Sequence, residues 1–466
     1  MMLHRIRDFL LVDRPLLYAL SGRLWQVIAG PITIYLLLHH LTLAEQGIYY
    51  ALVGLASLQN IFELGYLNVL ISQASHLAGK PARKAGSLAI GVADDSPPRE
   101  RAILAEPSST SPALDEPGLS SLICHARRWF AWVSVGFFLS ALLAGEYLFR
   151  QQSEAIAWRG PMIGFLLLAA INFYLAPSAS ILEGIGRRRQ IYGVQLAQMV
   201  SGSLAVWLAF LGGAKLWALV ASCGVQLGWM CYLIGVIGRD VFRPLGAARS
   251  PRAVSVGEAG SFFRIQWRAA VYSLSLYLAT QLFVVVIVRW HGSEEAGRIG
   301  MSLSIAQIVQ MSALAWLQTK YAVAAKRHGQ GARSAAGSLW RRATLVSAMI
   351  LATGLLGLIG VLAWLPWLDA RLATRLITPW QLAIYAVGCL ANHLLAAQTF
   401  YVLSRKSAPL AVAAAIGLGT VALSVVVGGY FFANTGALAG YSLAMLVVCL
   451  PLHTWSYYRF RRAAAA

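Results

Sequence analysis

Apolar residues run through the chain in long unbroken stretches, interrupted by glycine, proline and clustered charge and lacking any regular apolar–polar alternation. A helix needs about 20 such residues to cross a bilayer. Reading the stretches against their breaks predicts twelve spans, near residues 16–41, 47–75, 127–149, 160–182, 190–212 and 216–237, then 262–290, 297–319, 343–366, 377–403, 408–433 and 436–458. The lack of alternation argues against an outer-membrane barrel, whose strands place apolar residues outward and polar ones inward. The expected fold class is all-α, a polytopic membrane protein of about twelve transmembrane helices. A basic break carrying Pro244 and Pro251 divides it into a six-helix half over 1–238, a cytoplasmic linker over 239–260 and a second six-helix half over 261–466.

Composition and charge narrow the picture. The 466 residues are 58% apolar and 12% charged, against about half and a quarter in soluble domains, which excludes a soluble enzyme on a membrane anchor. A net charge of +20 on a soluble domain would suggest nucleic acid; here it reports topology, and no nucleic-acid partner is expected. Of the 38 Lys and Arg residues, 29 lie on the side that holds the termini and 7 on the opposite side, so positive charge places both termini in the cytoplasm. The one long connection, about 76–127, is rich in Pro, Ser and charge and reads as a mobile cytoplasmic loop with one short helix. The amino terminus carries no small-residue cleavage site, so the first span is read as retained. Cys124, Cys223, Cys231, Cys389 and Cys449 are scattered without metal spacing, and His39-His40 has no third ligand. No metal and no cofactor is expected.

Around the first two spans the sequence reads SGRLWQVIAGPITIYLLLHHLTLAEQGIYYALVGLASLQNIFELGYLNVLISQASHL. Its opening (Gly22, Arg23, Gln26), Gly30-Pro31, the turn from Leu41 to Tyr50 and Phe62-Glu63-Leu64-Gly65 resemble the amino-terminal signature of bacterial polysaccharide-biosynthesis membrane proteins. These form part of the multidrug/oligosaccharidyl-lipid/polysaccharide (MOP) exporter superfamily, and twelve spans with cytoplasmic ends suit its oligosaccharide-flippase branch. The resemblance implies two pseudo-symmetric, like-oriented halves around a central cavity, in the bacterial inner membrane. It also implies a cargo, a polyprenyl-pyrophosphate-linked oligosaccharide, with membrane lipids and other polysaccharide-assembly proteins as candidate partners. Sliding 41–76 onto 291–326 supports the repeat by position: Glu45 falls on Glu295 and Gly47 on Gly297, each in the turn between the first two spans of its half. For both acids the ordinary reading is helix capping, with Gly permitting the tight turn.

Ionisable groups at membrane depth cost about 2.5–3.5 kcal/mol on insertion scales and so ask for a partner or a cavity. Glu63, near the middle of span two with Gln59 one turn earlier, reads either as a proton-binding or gating group or as a packing hydrogen bond. Arg23 in span one and Arg268 in span seven lie at similar depths. On a cavity wall they would form a positive floor for the carrier pyrophosphate; otherwise they snorkel to headgroups. Gln26, Gln59, Gln281, Gln307 and Asn392 are candidates for a sugar-compatible lining, with helix-to-helix bonding as the alternative, and His393 is a second candidate for ion coupling. Trp129, Trp158, Trp290, Trp367 and Trp455 read as interfacial anchors. Gly354, Gly357 and Gly360 form a small-residue face for close packing.

The leading reading is a flippase, not an enzyme, that moves the lipid-linked oligosaccharide by alternating access. An ion-coupled drug/cation antiporter of the same superfamily is its alternative and would present acids where Arg23 and Arg268 stand. A membrane polymerase would need a large extracytoplasmic loop, which the short connections do not supply, and a scaffold of a polysaccharide-assembly system would draw on the long loop.

Overall fold

The computed structural model describes residues 14–63, 66–78, 116–150, 156–243, 256–329, 333–403 and 411–463. Within them the chain is helical throughout, with no strand. Span one is α1 (Arg14–His40), and span two is α2 (Leu43–Ala56), α3 (Gln59–Glu63) and α4 (Tyr66–Ala78). Spans three to six are α5 (Glu116–Phe149), α6 (Arg159–Gly184), α7 (Arg188–Leu211) and α8 (Trp217–Tyr232), with a π-turn over Leu233–Ile237 and a short α9 (Arg239–Phe242). The second half holds α10 (Val256–Gly329), α11 (Arg333–Leu368), α12 (Ala370–Ala373), α13 (Pro379–Leu403), α14 (Ala411–Ala444), a π-turn at Met445–Cys449 and α15 (Leu450–Ala463).

Two of these helices are hairpins. In α14 the helical dihedrals fail at Phe432 and Ala433, and residues on either side come back onto each other: Gly428 lies against the Gly436 carbonyl and Gly440 against that of Ser424. A side chain at any of these positions would strike backbone. In α10 the break is Gly292, at φ +88°. From there one arm passes Gly54 of α2 at Gln281 and Val285, and the other passes Tyr50 at Gly300 and Gly30 of α1 at Ile308. Both arms therefore run inward from one end, and the described residues make twelve passes. Eight of the helical stretches are long and apolar enough to cross a membrane by length and composition. This is a multi-pass membrane protein.

An even number of passes puts both termini at one end of the bundle, the terminal face. The other end, which carries the turns at 41–42, 212–216, 292, 369–378 and 432–433, is the distal face. In the first half α1 packs on α7, α7 on α8, α8 on α6, and α6 on α4 and α5; in the second, α10 packs on α11 and α14, and α13 joins α11 to α14. Lipid offers helices no hydrophobic drive to associate, so contact rests on van der Waals fit and small residues. The main core accordingly interleaves Phe130, Phe137 and Phe173 with Leu52, Leu55 and Met162, and it continues into Phe283 and Ile299 of the second half.

Several expectations are corrected. Span three begins at Glu116, eleven residues before its apolar run, because residues 116–126 extend the same helix past the apolar stretch; the rest of the long connection, 79–115, lies outside the described residues. Trp158 is buried against Phe149 with ring centroids 5.3 Å apart, whereas Trp129, Trp290, Trp367 and Trp455 are exposed as interfacial anchors would be. Of the small-residue face in α11, Gly354 packs on Val309, while nothing lies within 4 Å of a Cβ at Gly357 or Gly360.

Candidate functional site

At the distal face the two halves meet backbone to backbone. A Cβ on Gly47 would fall on the carbonyl of Ser293, and one on Gly297 would lie 2.7 Å from the carbonyl of Leu43. The pairing is reciprocal, since Ser293 is 250 residues beyond Leu43 and Gly297 is 250 beyond Gly47. The repeat register read from Glu45 and Gly47 is thus the register in which the halves touch. Gln46, fully buried, donates its Nε2 to Gly297 O at 2.8 Å, and Arg375 reaches back across the seam to Leu41 O at 2.6 Å. Sequence reasoning passed over both: Gln46 reads as a turn residue and Arg375 as a topology charge.

Each half braces its own side of this closure. Thr42 and Glu45 form a capping box, with the Thr42 amide donating to the Glu45 carboxylate at 2.8 Å and the Thr42 hydroxyl accepting from the Glu45 amide. The same carboxylate takes the Lys215 ammonium at 2.8 Å, from the turn between spans five and six. Glu295 accepts from Arg298 at 2.6 Å and from Asn434 Nδ2, also at 2.6 Å, the latter in the turn between spans eleven and twelve. Beside them Lys215 and Ala433 hold positive φ, 48° and 49°.

Burial would raise the Glu45 carboxyl, but the bonds from Lys215 and Thr42 and the ammonium charge more than offset it, leaving it below its usual 4.5. A depressed carboxyl stabilises the fold above the unfolded value and loses that contribution as pH falls through the folded one. Glu45→Gln keeps the cap and removes the charge. The wild type should therefore melt above Glu45→Gln at neutral pH, with the gap closing on acidification below 4.5; a gap independent of pH would contradict the pairing.

Span two is broken at a polar stretch, Ser57-Leu58-Gln59-Asn60. α2 ends at Ala56 with a turn through Ser57 and Leu58, and α3 is a five-residue helix that ends at Glu63. It packs against α5 and α10, so it borders the seam between the halves. Glu63 is half-buried and has no hydrogen bond or ion pair among the described residues. Gln59 is half-buried on the same short helix, and Gln281 stands in the first arm of α10 facing Gly54.

The other expected site residues separate. Gln26 joins Gln198 of α7 and Gln226 of α8 around a cavity of about 300 Å³, lined also by Trp25, Ser203 and Ser222. None of its ten lining residues is charged. Gln26 is one helical turn from Gly30, which lies against Ile308 of span eight, so the cavity too borders the seam. Gln307 is exposed and Asn392 half-buried, with no described partner and no place in this cavity. His393 is fully buried and pairs through Nε2 with Ser347 Oγ at 2.8 Å, joining spans ten and nine. The backbones of Arg23 and Arg268 are helical, and their side chains lie outside the described residues. Asn172 bonds the Cys223 carbonyl, and Gln398 bonds Thr454 and His453, so both act as helix-to-helix links.

No family model and no curated protein matches the sequence. Solved structures do. An inward-facing multidrug resistance MATE family transporter of the MOP superfamily aligns with TM-score 0.53 over 91% of this chain and 94% of its own, at 14% identity. The lipid II flippase MurJ, in an inward closed conformation, aligns with TM-score 0.55 over 93% of this chain and 87% of its own, at 13% identity. The chain shares the fold of these structures. A further MOP superfamily transporter, from Pyrococcus furiosus and described as having a binding pocket of reverse polarity, aligns with TM-score 0.55 over 97% of this chain and 95% of its own, at 13% identity. Among these MOP-fold structures are drug transporters and a lipid flippase, so the fold alone does not choose a cargo.

Proposed function

We propose that the protein is a flippase of the bacterial inner membrane that carries a polyprenyl-pyrophosphate-linked oligosaccharide from the cytoplasmic to the periplasmic leaflet. The observation that carries this reading is the reciprocal closure of the distal face. Two halves that meet through the same residues in repeat register form a two-state element of the kind alternating access requires, one seam that seals or parts as a unit. The cargo assignment draws on the resemblance of residues 15–75 to polysaccharide-biosynthesis membrane proteins and on the MOP fold shared with a lipid II flippase. The excess of Lys and Arg on the terminal face supports a cytoplasmic position for that face, and in that orientation the described state is closed toward the periplasm.

A drug/cation antiporter is the competing reading, and the cavity disfavours it: an organic cation needs acids, and the lining of the first-half cavity has none. The test is the sidedness of lipid-linked oligosaccharide in native-host membranes depleted of the protein. Completed repeat units are expected to accumulate on the cytoplasmic face and to be cleared when the wild type is restored. Unchanged sidedness would overturn the proposal.

A further inference from the structure

The first-half cavity is lined, among the described residues, without a charged group. Among the described residues the amides of Gln26, Gln198 and Gln226 and the hydroxyl of Ser222 make no hydrogen bond, although all four line the same space. Gln26 is exposed and Gln198, Ser222 and Gln226 are half-buried, so all four are open to a ligand entering this space. Here three helices each bring an uncommitted amide to one cavity, and each amide offers two donors and an acceptor. The remaining polar atoms are occupied in a way that holds the wall still. Trp25 Nε1 donates to Ser203 Oγ at 3.2 Å, Ser203 Oγ donates to Met199 O, and Trp207 Nε1 donates to Thr33 Oγ1 at 2.8 Å. Trp25 and Trp207 lie with centroids 6.0 Å apart, so the indole that lines the cavity is fixed from behind.

Free amides around a held aromatic surface suit a sugar ring, whose rim carries paired donors and acceptors and whose faces are largely apolar. Neither charged alternative fits. A pyrophosphate would need guanidinium or ammonium groups and a drug cation would need carboxylates, and among the described residues the lining supplies neither. The volume of about 300 Å³ gives room for one sugar unit.

We infer that this cavity is a monosaccharide subsite, with Trp25 as its platform and Gln26, Gln198, Gln226 and Ser222 as its hydroxyl readers. The inference rests on the flippase reading of the cargo. It assigns one sugar of the glycan to the first half and leaves the carrier pyrophosphate to be held elsewhere along the seam.

The test compares farnesyl diphosphate with the same lipid carrying one galactose or one N-acetylglucosamine, each titrated against the purified full chain in nanodiscs. The wild type should bind a glycosylated probe about tenfold or more tighter than the bare diphosphate. The Gln26→Leu/Gln198→Leu/Gln226→Leu variant should lose that advantage while its affinity for farnesyl diphosphate stays unchanged. Trp25→Leu, which keeps an apolar side chain in place, should show the same selective loss if the triple variant does not fold. A glycosylated probe bound no tighter than the bare one, or equal weakening of both in the variants, would overturn the subsite and leave the flippase reading standing. Binding of tetraphenylphosphonium with no binding of any of the lipids would overturn both. Gln198→Glu gives a gain to look for: an acid in the lining should create measurable tetraphenylphosphonium binding, and its failure to do so would count against the assigned lining.

Discussion

Gly47→Leu should abolish transport and leave the distal face open. The contact that Gly47 makes is with the Ser293 carbonyl, and on the other side of the seam Gly297 lies on the carbonyl of Leu43. Neither obstacle is a side chain that can turn away, so even one added carbon has to push the helices apart. Ordinary overpacking of a core costs about 1–3 kcal/mol, and a clash with backbone lies at or above the upper end. Three kcal/mol is a shift of roughly a hundredfold in a two-state equilibrium, enough to empty the distal-closed state. The measurement is labelling of Ile48→Cys, a position fully buried in this state, on a background without the native cysteines. A membrane-impermeant maleimide added on the side opposite the termini should react several-fold faster once Gly47→Leu is introduced, and Gly297→Leu should act alike because it breaks the reciprocal contact. Unchanged labelling together with normal transport would sink the gate.

The second large effect belongs to Glu63. Its carboxyl is half-buried on the short helix that follows the break of span two at Ser57 and Leu58, without a partner among the described residues. A carboxylate at membrane depth without compensation costs about 2.5–3.5 kcal/mol on insertion scales, which makes Glu63 the candidate we propose for ion coupling. Glu63→Gln fixes the neutral form at nearly the same volume. The variant should insert and elute as the wild type does, while transport driven by an imposed proton or sodium gradient falls at least about tenfold, the scale of losing a coupling interaction of 1–3 kcal/mol. Retention of gradient-driven transport by Glu63→Gln in proteoliposomes would remove Glu63 from ion coupling.

The twelve passes were legible because span length is a property of the bilayer, and a run of apolar residues announces it regardless of what the helix packs against. The break in span two was not. At Ser57 and Leu58 the backbone bonds tighten to i−3 partners, and a few polar residues inside an apolar span do not announce that Gln59–Glu63 is a separate helix. Glu63 itself was found from sequence, since an acid inside an apolar run is conspicuous, but its lack of a partner is a fact of three dimensions. Gln26 was found as a polar residue in span one. Its companions Gln198 and Gln226 come from spans five and six, and Trp25 looks like any other aromatic in a membrane helix. His393 was also found from sequence, while its pairing with Ser347, which ties span ten to span nine, is a fact of the fold. Arg375 and Lys215 entered the charge count as distal residues, and only the fold turns them toward Leu41 and Glu45.

The repeat register places one more pair on the seam. Gly300 lies against the Cβ and ring of Tyr50, and the two occupy the same position of the repeat, 250 residues apart. On the pseudo-twofold axis a position meets its own counterpart, so here the largest and the smallest side chains interlock. Two copies of the first half would bring Tyr50 against Tyr50 and collide, and two copies of the second would leave a void where Gly300 faces Gly300. A chain with two such similar halves risks exchanging them between neighbouring molecules during membrane assembly. This single unequal pair makes the proper partner the one that fits, so the duplicated architecture carries its own rule against mispairing.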